Sequence, residues 1–393
     1  MTSNAQFRKR HLALPIYLPS LLFTAAESAL LPVLPVSATE YGFSLASAGV
    51  ITTALMLGTL VFEIPASWIV NRIGERNAML LASVIGTLLT LLAFFHIGYA
   101  GLLIAAIGFG TMHSLFGLSR HSMLAGIVPT EHRPKSMSLL GGMFRGGAAI
   151  GPVVGGFFIA GFGLQYAYLA AALMALLAGA SVLLVDKREL KSSPSGQQGN
   201  VWVVAKRESA KLLTLGVASS IISAGRTIRL IGLPLLAIQL GIDAATSSFI
   251  FGLTGFIDFA LFYLSGLIMD RWGKIWSSVP TLIALGVTYL FSFLVTDLTS
   301  FWIMASVTAL ANAASAGINM VLGADLAPEG ARAEFLAAFR ILTSGGVVAA
   351  PAAISGITAL LGVSWALALT GLINFAGAYL FLKYLPIHAP DKR

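Results

Sequence analysis

Cysteine is absent from this chain, and charged side chains make up only 10% of its 393 residues. Without cysteine there can be no disulfide bond, iron–sulfur cluster or thiol nucleophile. The six histidines are scattered without metal-ligand spacing, and no GxxxxGKS or GxxxxGKT motif indicates ATP binding. Paired acids or a Ser/His set at catalytic spacing are missing as well. We therefore expect no metal, no cofactor and no enzymatic activity.

In place of charge, the chain carries long apolar runs. It is 57% hydrophobic with a mean hydropathy of +0.88, whereas soluble domains contain about 25% charged residues. Runs near 20 residues recur, and about 20 residues of helix cross a bilayer. The pattern predicts an all-α polytopic membrane protein in the lipid bilayer. Twelve helices are predicted, near residues 12–37, 46–70, 78–98, 101–127, 136–160, 165–186, 211–240, 246–269, 279–297, 300–326, 335–360 and 364–385.

The basic residues predict the orientation of the chain. A polar linker at 187–210, with a surface-lying helix near Trp202, separates an N-terminal six-helix bundle (1–186) from a C-terminal one (211–393). All but five of the 24 Lys and Arg residues lie near the termini, in this linker or in loops on the same side. By the positive-inside rule, we expect a multi-pass protein of the cell (inner or plasma) membrane with both termini cytoplasmic. The net charge of +8 then reflects topology and contact with anionic lipid, and no nucleic-acid partner is expected.

The two halves of the chain are related by a repeat. The stretch ASWIVNRIGERN at 66–77 returns as SGLIMDRWGKIW at 265–276, and their glycines Gly74 and Gly273 differ by 273 − 74 = 199 positions. Each half has six helices, so both enter the membrane in the same orientation, as parallel repeats about a pseudo-two-fold axis and a central cavity. Six further pairs share the offset: Pro35 and Pro234, Gly42 and Gly241, Arg72 and Arg271, Pro129 and Pro328, Arg133 and Arg332, Pro152 and Pro351.

The second copy of this stretch carries a complete motif of the form G-x-x-x-D-R-x-G-R/K. Its members are Gly266, Asp270, Arg271, Gly273 and Lys274. With this motif, twelve helices in a 6+6 repeat and a basic linker, the whole chain resembles the major facilitator superfamily. The resemblance implies a monomeric secondary transporter that works by alternating access on a small-molecule substrate, with a proton gradient in place of a cofactor.

The first copy departs from the motif. It has Ser67, Asn71, Arg72, Gly74 and Glu75, so the first glycine, the acid and the terminal base are replaced. In relatives with the full motif, this acid is thought to help close the cytoplasmic gate by bonding a helix N-terminus across the halves. An asparagine accepts the same hydrogen bond without the charge that the helix dipole favours. We therefore predict a weaker latch on the first-half side.

The second half offers more charge at the equivalent place. Asp325, at the end of the tenth predicted helix, is expected to join Asp270, Arg271 and Arg332 in a charged cytoplasmic cluster. Its first-half counterpart is Gly126, so this acid is missing there too. The gate is therefore predicted to be asymmetric.

Helix 5 carries a second motif. In GGAAIGPVVGG at 146–156, a row of glycines leaves one helix face with little more than backbone, and Pro152 permits a bend. The pattern resembles the antiporter motif of proton-coupled drug exporters, as do LLPVLP at 30–35 and GIVPTEHR at 126–133. A plain small-residue packing face is the alternative. The stretch GLLIAAIGFG lacks the arginine that this branch places on helix 4, so coupling by that arginine does not carry over. The motif residues are Gly147, Gly151, Pro152, Gly155 and Gly156.

Charged residues inside the predicted helices are candidates for substrate and proton sites, because they are costly in a bilayer. Glu27 on helix 1 and Arg226 on helix 7 are equivalent in the repeat, since 226 − 27 = 199. Helices 1 and 7 line the cavity in the family that the chain resembles. We therefore predict that Glu27 and Arg226 approach each other across it, with Glu27 as the proton carrier and Asp258 as the second choice.

Two further ion pairs follow from the helix neighbours in that family. Glu63 is expected to meet Arg340 one or two turns inside the cytoplasmic gate, and Arg145 to meet Asp258 nearer the centre. A buried charge is much less costly when it is paired. These pairs act either as latches that open in one access state or as static bridges.

After this pairing three basic residues remain, His113, Arg120 and Arg229. Five intramembrane arginines against three acids favour a substrate with a carboxylate or phosphate, anionic or zwitterionic. The alternatives are that Arg120 snorkels to the cytoplasmic surface and that His113 is only a hydrogen-bonded packing residue. Carboxylates removed from water can exchange protons near neutral pH, so proton and substrate are expected to compete near Arg226.

Together these features predict proton-coupled export, by antiport, of a small amphipathic organic molecule. The alternative keeps the fold and makes the substrate a specific anionic metabolite, siderophore-like or an organic acid. An intramembrane enzyme lacks its catalytic residues, and a two-fold repeat with bent helices favours alternating access over a channel.

Overall fold

The computed structural model describes residues 16–95, 98–128, 132–184 and 201–390. Every regular element in these ranges is helical. The α-helices are α1 (Leu18–Glu40), α2 (Leu45–Val61), α3 (Glu63–Ile73), α4 (Glu75–Phe94), α5 (Gly98–Ile127), α6 (Arg133–Phe162), α7 (Tyr166–Val182), α8 (Val201–Arg207), α9 (Ser209–Lys211), α10 (Val217–Gln239), α11 (Ala244–Trp272), α12 (Lys274–Leu290), α13 (Leu298–Ala314), α14 (Ile318–Leu326), α15 (Arg332–Leu361) and α16 (Val363–His388). A π-helical turn, Leu212–Gly216, joins α9 to α10, and a 3₁₀ turn, Phe291–Leu294, follows α12.

The lengths of these helices match a protein that crosses the membrane many times. Within the described residues, ten helical segments are long and apolar enough to span a bilayer, and α2 with α3 forms an eleventh that is bent by 50°. The bend falls where Pro65, in the first turn of α3, cannot donate a backbone hydrogen bond to the preceding turn. The shorter apolar α7, 17 residues long, lies where the sixth helix is predicted. The all-α polytopic fold is thus confirmed, and twelve helices are consistent with it.

The chain forms two compact units. Unit 1 contains the described residues up to Leu34 and from Ala54 to 184, and unit 2 contains Pro35–Thr53 and residues 201–390. The end of α1 and the start of α2 thus belong with the second half. The predicted domain boundaries stay a prediction, because linker residues 187–200 lie outside the described residues, as does Pro129 of the repeat. Residues 201–207 form α8, where a helix near Trp202 is predicted.

The repeat is visible in the backbone. Glycine reaches left-handed φ angles that other residues avoid, and such glycines recur at the offset of 199. The pairs are Gly42 (φ 82°) and Gly241 (φ 70°), Gly74 (φ 79°) and Gly273 (φ 93°), Gly163 (φ 109°) and Gly362 (φ 89°). The last pair extends the repeat beyond the residues that the sequence comparison uses. Equivalent loops and helix starts in the two halves therefore share their turn geometry.

In unit 1, stacked aromatic rings fix the register between α1 and α5. Phe23 is fully buried, and its ring centroid lies 4.2 Å from that of Phe116 and 5.5 Å from that of Phe109. This packing holds the neighbouring polar residues of α1 against α5.

Candidate functional site

A carboxylate and an imidazole meet between α1 and α5 in unit 1. Nδ1 of His113 lies 3.0 Å from Oε2 of Glu27, and Glu27 is only 8% exposed. Phe23 and Phe144 flank the imidazole, with ring centroids 6.3 Å and 6.2 Å away. The two groups form an ion pair when the histidine is protonated.

Arg120 joins the same seam about two turns further along α5. It is 4% exposed, donates from Nη1 to Oγ1 of Thr24 at 3.2 Å, and stacks over the ring of Phe144 with Cζ 5.3 Å from the centroid. The guanidinium also lies within electrostatic reach of Glu27. Because the side chain is buried, the alternative in which Arg120 snorkels to the surface does not describe this structure.

The sequence analysis leaves His113 and Arg120 without an acid, and the structure places Glu27 beside them. The prediction assigned Glu27 to Arg226 because the two are equivalent in the repeat and because helices 1 and 7 line the cavity in the family that the chain resembles. The pair Glu27–Arg226 joins unit 1 to unit 2 and stays a prediction. The same holds for the other two predicted pairs, Glu63 with Arg340 and Arg145 with Asp258.

In unit 2, two arginines of α10 point into the bundle. Nη2 of Arg226 donates to the backbone carbonyl of Ser315 and to its hydroxyl, the latter at 2.8 Å, where the chain breaks between α13 and α14. Nη2 of Arg229 donates to Oγ1 of Thr254 on α11 at 2.8 Å, and Arg229 is 6% exposed. One face of α10 therefore brings two cationic groups into the bundle.

The repeat places these residues in equivalent contacts. Arg120 and Thr24 correspond to Asn319 and Ser223 at the offset of 199. In unit 2, Nδ2 of Asn319 donates to Oγ of Ser223 at 2.9 Å, so the first and fourth helices of each half share a hydrogen bond at the same place. A cation makes this bond in one half and a neutral amide makes it in the other.

The acid of unit 1 has a base as its counterpart. Glu27 and His113 correspond to Arg226 and Asn312, and Arg226 contacts Ser315, three residues beyond Asn312 and just after the end of α13. Each half thus has a polar contact between its first and fourth helices, with opposite charge on the first helix and at different positions along the fourth.

At the motif that follows α11, an ion pair forms that the sequence analysis does not predict. Nζ of Lys274 lies 2.7 Å from Oδ2 of Asp325 on α14, so the terminal base of the motif contacts this acid. Asp270 and Arg271 are exposed, and Arg271 stacks over the ring of Trp272. The sequence did contain a signal for this contact, because an ionisable residue follows the motif glycine in both copies: Glu75 after Gly74 and Lys274 after Gly273.

In the first copy, Glu75 stands at the position of Lys274. Its Oε1 accepts a hydrogen bond from Oγ of Ser122 on α5 at 2.9 Å. Glu75 is the first residue of α4, where a negative charge is favourable to the helix dipole. Asn71 and Arg72 are exposed. The first half therefore keeps a link between helices at the end of the motif, with an acid in place of the base.

The glycine row of α6 packs against α1. A Cβ at Gly147 would overlap the backbone carbonyl of Leu21, and a Cβ at Gly151 would overlap that of Ala25. A Cβ at Gly155 would lie 3.5 Å from the Cβ of Ala29, which is an ordinary contact. Gly156 is buried, and α6 continues through Pro152. The close packing expected of this motif is present.

Among the described residues, no three His, Asp or Glu side chains cluster in the manner of metal ligands.

Comparison with known proteins identifies the fold. The sequence matches the family model described as Major Facilitator Superfamily over residues 16–305 and 215–393. It is 27% identical over 150 residues to the uncharacterized MFS-type transporter YfkF of Bacillus subtilis (strain 168), an alignment that spans 37% of each chain.

Three solved structures share the fold over nearly the whole chain. They are a POT family transporter in complex with 5-aminolevulinic acid (TM-score 0.80, 13% identity, 98% of both chains), a D-xylose-proton symporter (0.73, 17%, 98% of this chain and 99% of the other) and the human organic anion transporter MFSD10 (0.67, 16%, 95% and 100%).

Proposed function

Because the chain belongs to the major facilitator superfamily of membrane transporters, we propose that it couples substrate transport to protons through the group formed by Glu27, His113 and Arg120. In this proposal the protein exports a small amphipathic organic molecule by antiport, and both of its termini lie in the cytoplasm. The motif at 146–156 supports the exporter branch by its resemblance, and the asymmetry of the basic residues supports the orientation.

The observation that carries the proposal is the contact of 3.0 Å between Glu27 and His113 inside a membrane-spanning bundle. Ionisable groups at such depth are costly and mark proton or substrate paths in transporters. We expect this pair to take up a proton and to release it when substrate binding changes the charge beside it. The guanidinium of Arg120, which stays protonated, adds a fixed positive charge on the same seam.

A second candidate substrate class is supported by unit 2. Arg226 and Arg229 bring two positive charges onto one face of α10, which favours a substrate with a carboxylate or phosphate. In this version protons bind in unit 1, and the anionic part of the substrate binds at Arg226.

The test uses the purified chain in proteoliposomes loaded with the pH-sensitive dye pyranine. Organic cations, neutral amphiphiles and organic anions are each added against an imposed pH gradient. We expect at least one compound to drive a saturable proton flux whose direction follows the gradient. Glu27→Gln should abolish this flux. Glu40→Gln, a matched change at the exposed end of the same helix, should leave it intact.

Two outcomes would contradict the proposal. Substrate-driven proton flux that survives Glu27→Gln would remove Glu27 as the carrier, and a flux that does not saturate would indicate a channel. The substrate class is decided in the same assay. Arg226→Gln and Arg229→Gln should lower the apparent affinity for organic anions alone if the second candidate is correct.

A further inference from the structure

Unit 2 contains a crevice that the proposed proton and substrate sites do not use. It lies between α10, α15 and α16, has a volume of about 220 Å³, and is lined mainly by small and apolar side chains. Ala349, Ala353 and Ile373 are exposed at its mouth. Because α15 and α16 are long and apolar enough to span a bilayer, the crevice lies between membrane-spanning segments.

One polar atom in the crevice has no hydrogen-bond partner. Asn374 is 1% exposed and lines the crevice, and its Oδ1 accepts no hydrogen bond. Its Nδ2 donates to the carbonyl of Thr370 at 3.0 Å. A Cβ at Gly225 would come within 2.6 Å of Oδ1, so the glycine leaves room for this oxygen. An unsatisfied buried acceptor is destabilising, which gives a ligand that satisfies it an advantage.

The other polar groups in the crevice already donate their protons. The hydroxyl of Ser220 donates to the carbonyl of Leu342 at 2.8 Å. The hydroxyl of Thr370 donates to the carbonyls of Ala366 and Leu367 at 2.9 Å and 2.8 Å. The unsatisfied atom is the acceptor Oδ1 of Asn374, so a ligand that complements it brings an O–H or N–H donor.

The first half of the repeat has no equivalent arrangement. Asn374 corresponds to Ala175, and Ala349 and Ala353 correspond to the larger Ile150 and Val154. Gly151 packs directly on the backbone of α1, whereas its counterpart Ala350 lines the crevice. The small side chains of Ala349 and Ala353 leave space beside α10 that the larger residues of the first half would fill.

We propose that this crevice binds a neutral, lipophilic molecule of about the size of one substituted aromatic ring, which enters from the bilayer and donates one hydrogen bond to Oδ1 of Asn374. The volume is sufficient, since a cavity of about 150 Å³ lined by apolar side chains holds benzene. The apolar walls select a lipophilic body, and the acceptor selects a phenol, alcohol or amide over an ether or ester of the same shape.

The test compares 4-fluorophenol with 4-fluoroanisole, which differ by a methyl group on the donor oxygen. Binding to the full chain in phosphatidylcholine nanodiscs is measured by ¹⁹F NMR saturation transfer, with empty nanodiscs as the control for partitioning. We expect saturable binding of 4-fluorophenol, about fivefold tighter than that of 4-fluoroanisole, the factor that corresponds to one net hydrogen bond.

Three variants locate the site. Asn374→Leu should bind the two probes equally well. The double change Ala349→Ile with Ala353→Val introduces the side chains of the first half and should abolish binding of both probes. Ala352→Val, a similar enlargement on the same helix outside the lining, should have no effect.

Equal binding of the two probes to the unaltered chain would overturn the proposal, because the hydrogen bond to Asn374 would then contribute nothing. Absence of saturable binding would also overturn it, as would a preference for the phenol that survives the double change. The comparison of probes on the unaltered chain stands even if Asn374→Leu fails to fold.

Discussion

The packing of α6 on α1 predicts opposite effects for two similar substitutions. Gly151 and Gly155 lie one turn apart on the same face of α6. A Cβ at Gly151 would overlap the carbonyl oxygen of Ala25 and come within 3.0 Å of its Cα, whereas a Cβ at Gly155 would lie 3.5 Å from the Cβ of Ala29. The first site has no room because its neighbour is backbone, and the second has room for a methyl group.

The magnitude follows from two terms. Alanine is favoured over glycine in a helix by about 1 kcal/mol, and this gain is common to Gly151→Ala and Gly155→Ala. Overpacking costs about 1–3 kcal/mol and applies only at Gly151. The difference in the free energy of unfolding between the two variants therefore equals the overpacking cost, with Gly151→Ala the less stable by about 1–3 kcal/mol.

The assay is reversible unfolding in mixed micelles, titrated with sodium dodecyl sulfate and followed by circular dichroism. Gly155→Ala should unfold at or above the detergent fraction of the unaltered chain, and Gly151→Ala at a clearly lower fraction. Equal midpoints for the two variants would refute the reasoning, because α1 and α6 would then separate at no cost.

Two further predictions follow from polar contacts. Thr24→Val removes a hydrogen bond from the buried guanidinium of Arg120 and should lower the free energy of unfolding by about 1.5–3 kcal/mol in the same assay. Ser223→Ala removes the equivalent bond of a neutral amide and should lower it by about 1 kcal/mol. Equal losses would contradict the role of charge. Asp243 caps the start of α11, and hydrogen bonds from the side chain and backbone of Thr246 lower the pKa of its carboxyl below the ordinary value. The cap should therefore stabilise the protein fully above about pH 4. Its contribution should be lost as the pH falls through the lowered pKa. Asp243→Ala should lower the free energy of unfolding by about 1 kcal/mol at pH 7 and by less once the pH is below the lowered pKa of Asp243; a pH-independent loss would contradict this.

The fold was accessible from the sequence because its causes are local. Apolar runs of bilayer length, the glycines of the turns and the offset of 199 are each readable without knowledge of any contact. Gly74 and Gly273 each stand between two helices and have the same left-handed φ angle. Such a turn favours glycine, so the residue type alone indicates it. The structure adds the exact helix bounds, the bend before α3, the break between α13 and α14, and the assignment of Pro35–Thr53 to unit 2.

The contacts of the site were less accessible because they depend on the register between helices. Glu27 was recognisable as an intramembrane acid, but its depth alone does not show that His113 faces it. The register between α1 and α5 is set by the stack of Phe23 on Phe116, which carries no charge. The pair of Lys274 with Asp325 was missed for a related reason, since it joins residues 51 positions apart across a break between helices.

The repeat explains how one fold can hold two different kinds of polar site. Duplication preserves the places where the first helix of each half contacts the fourth, as the bonds from Arg120 to Thr24 and from Asn319 to Ser223 show. The charge at these places has diverged, with an acid, a histidine and an arginine in unit 1 and two arginines on α10 in unit 2. An acid beside a histidine is suited to bind and release a proton, whereas arginines on one helix face are suited to hold an anionic group. Equivalent positions with opposite charge therefore support the division of roles that we propose, with the proton bound in one half and any anionic part of the substrate in the other.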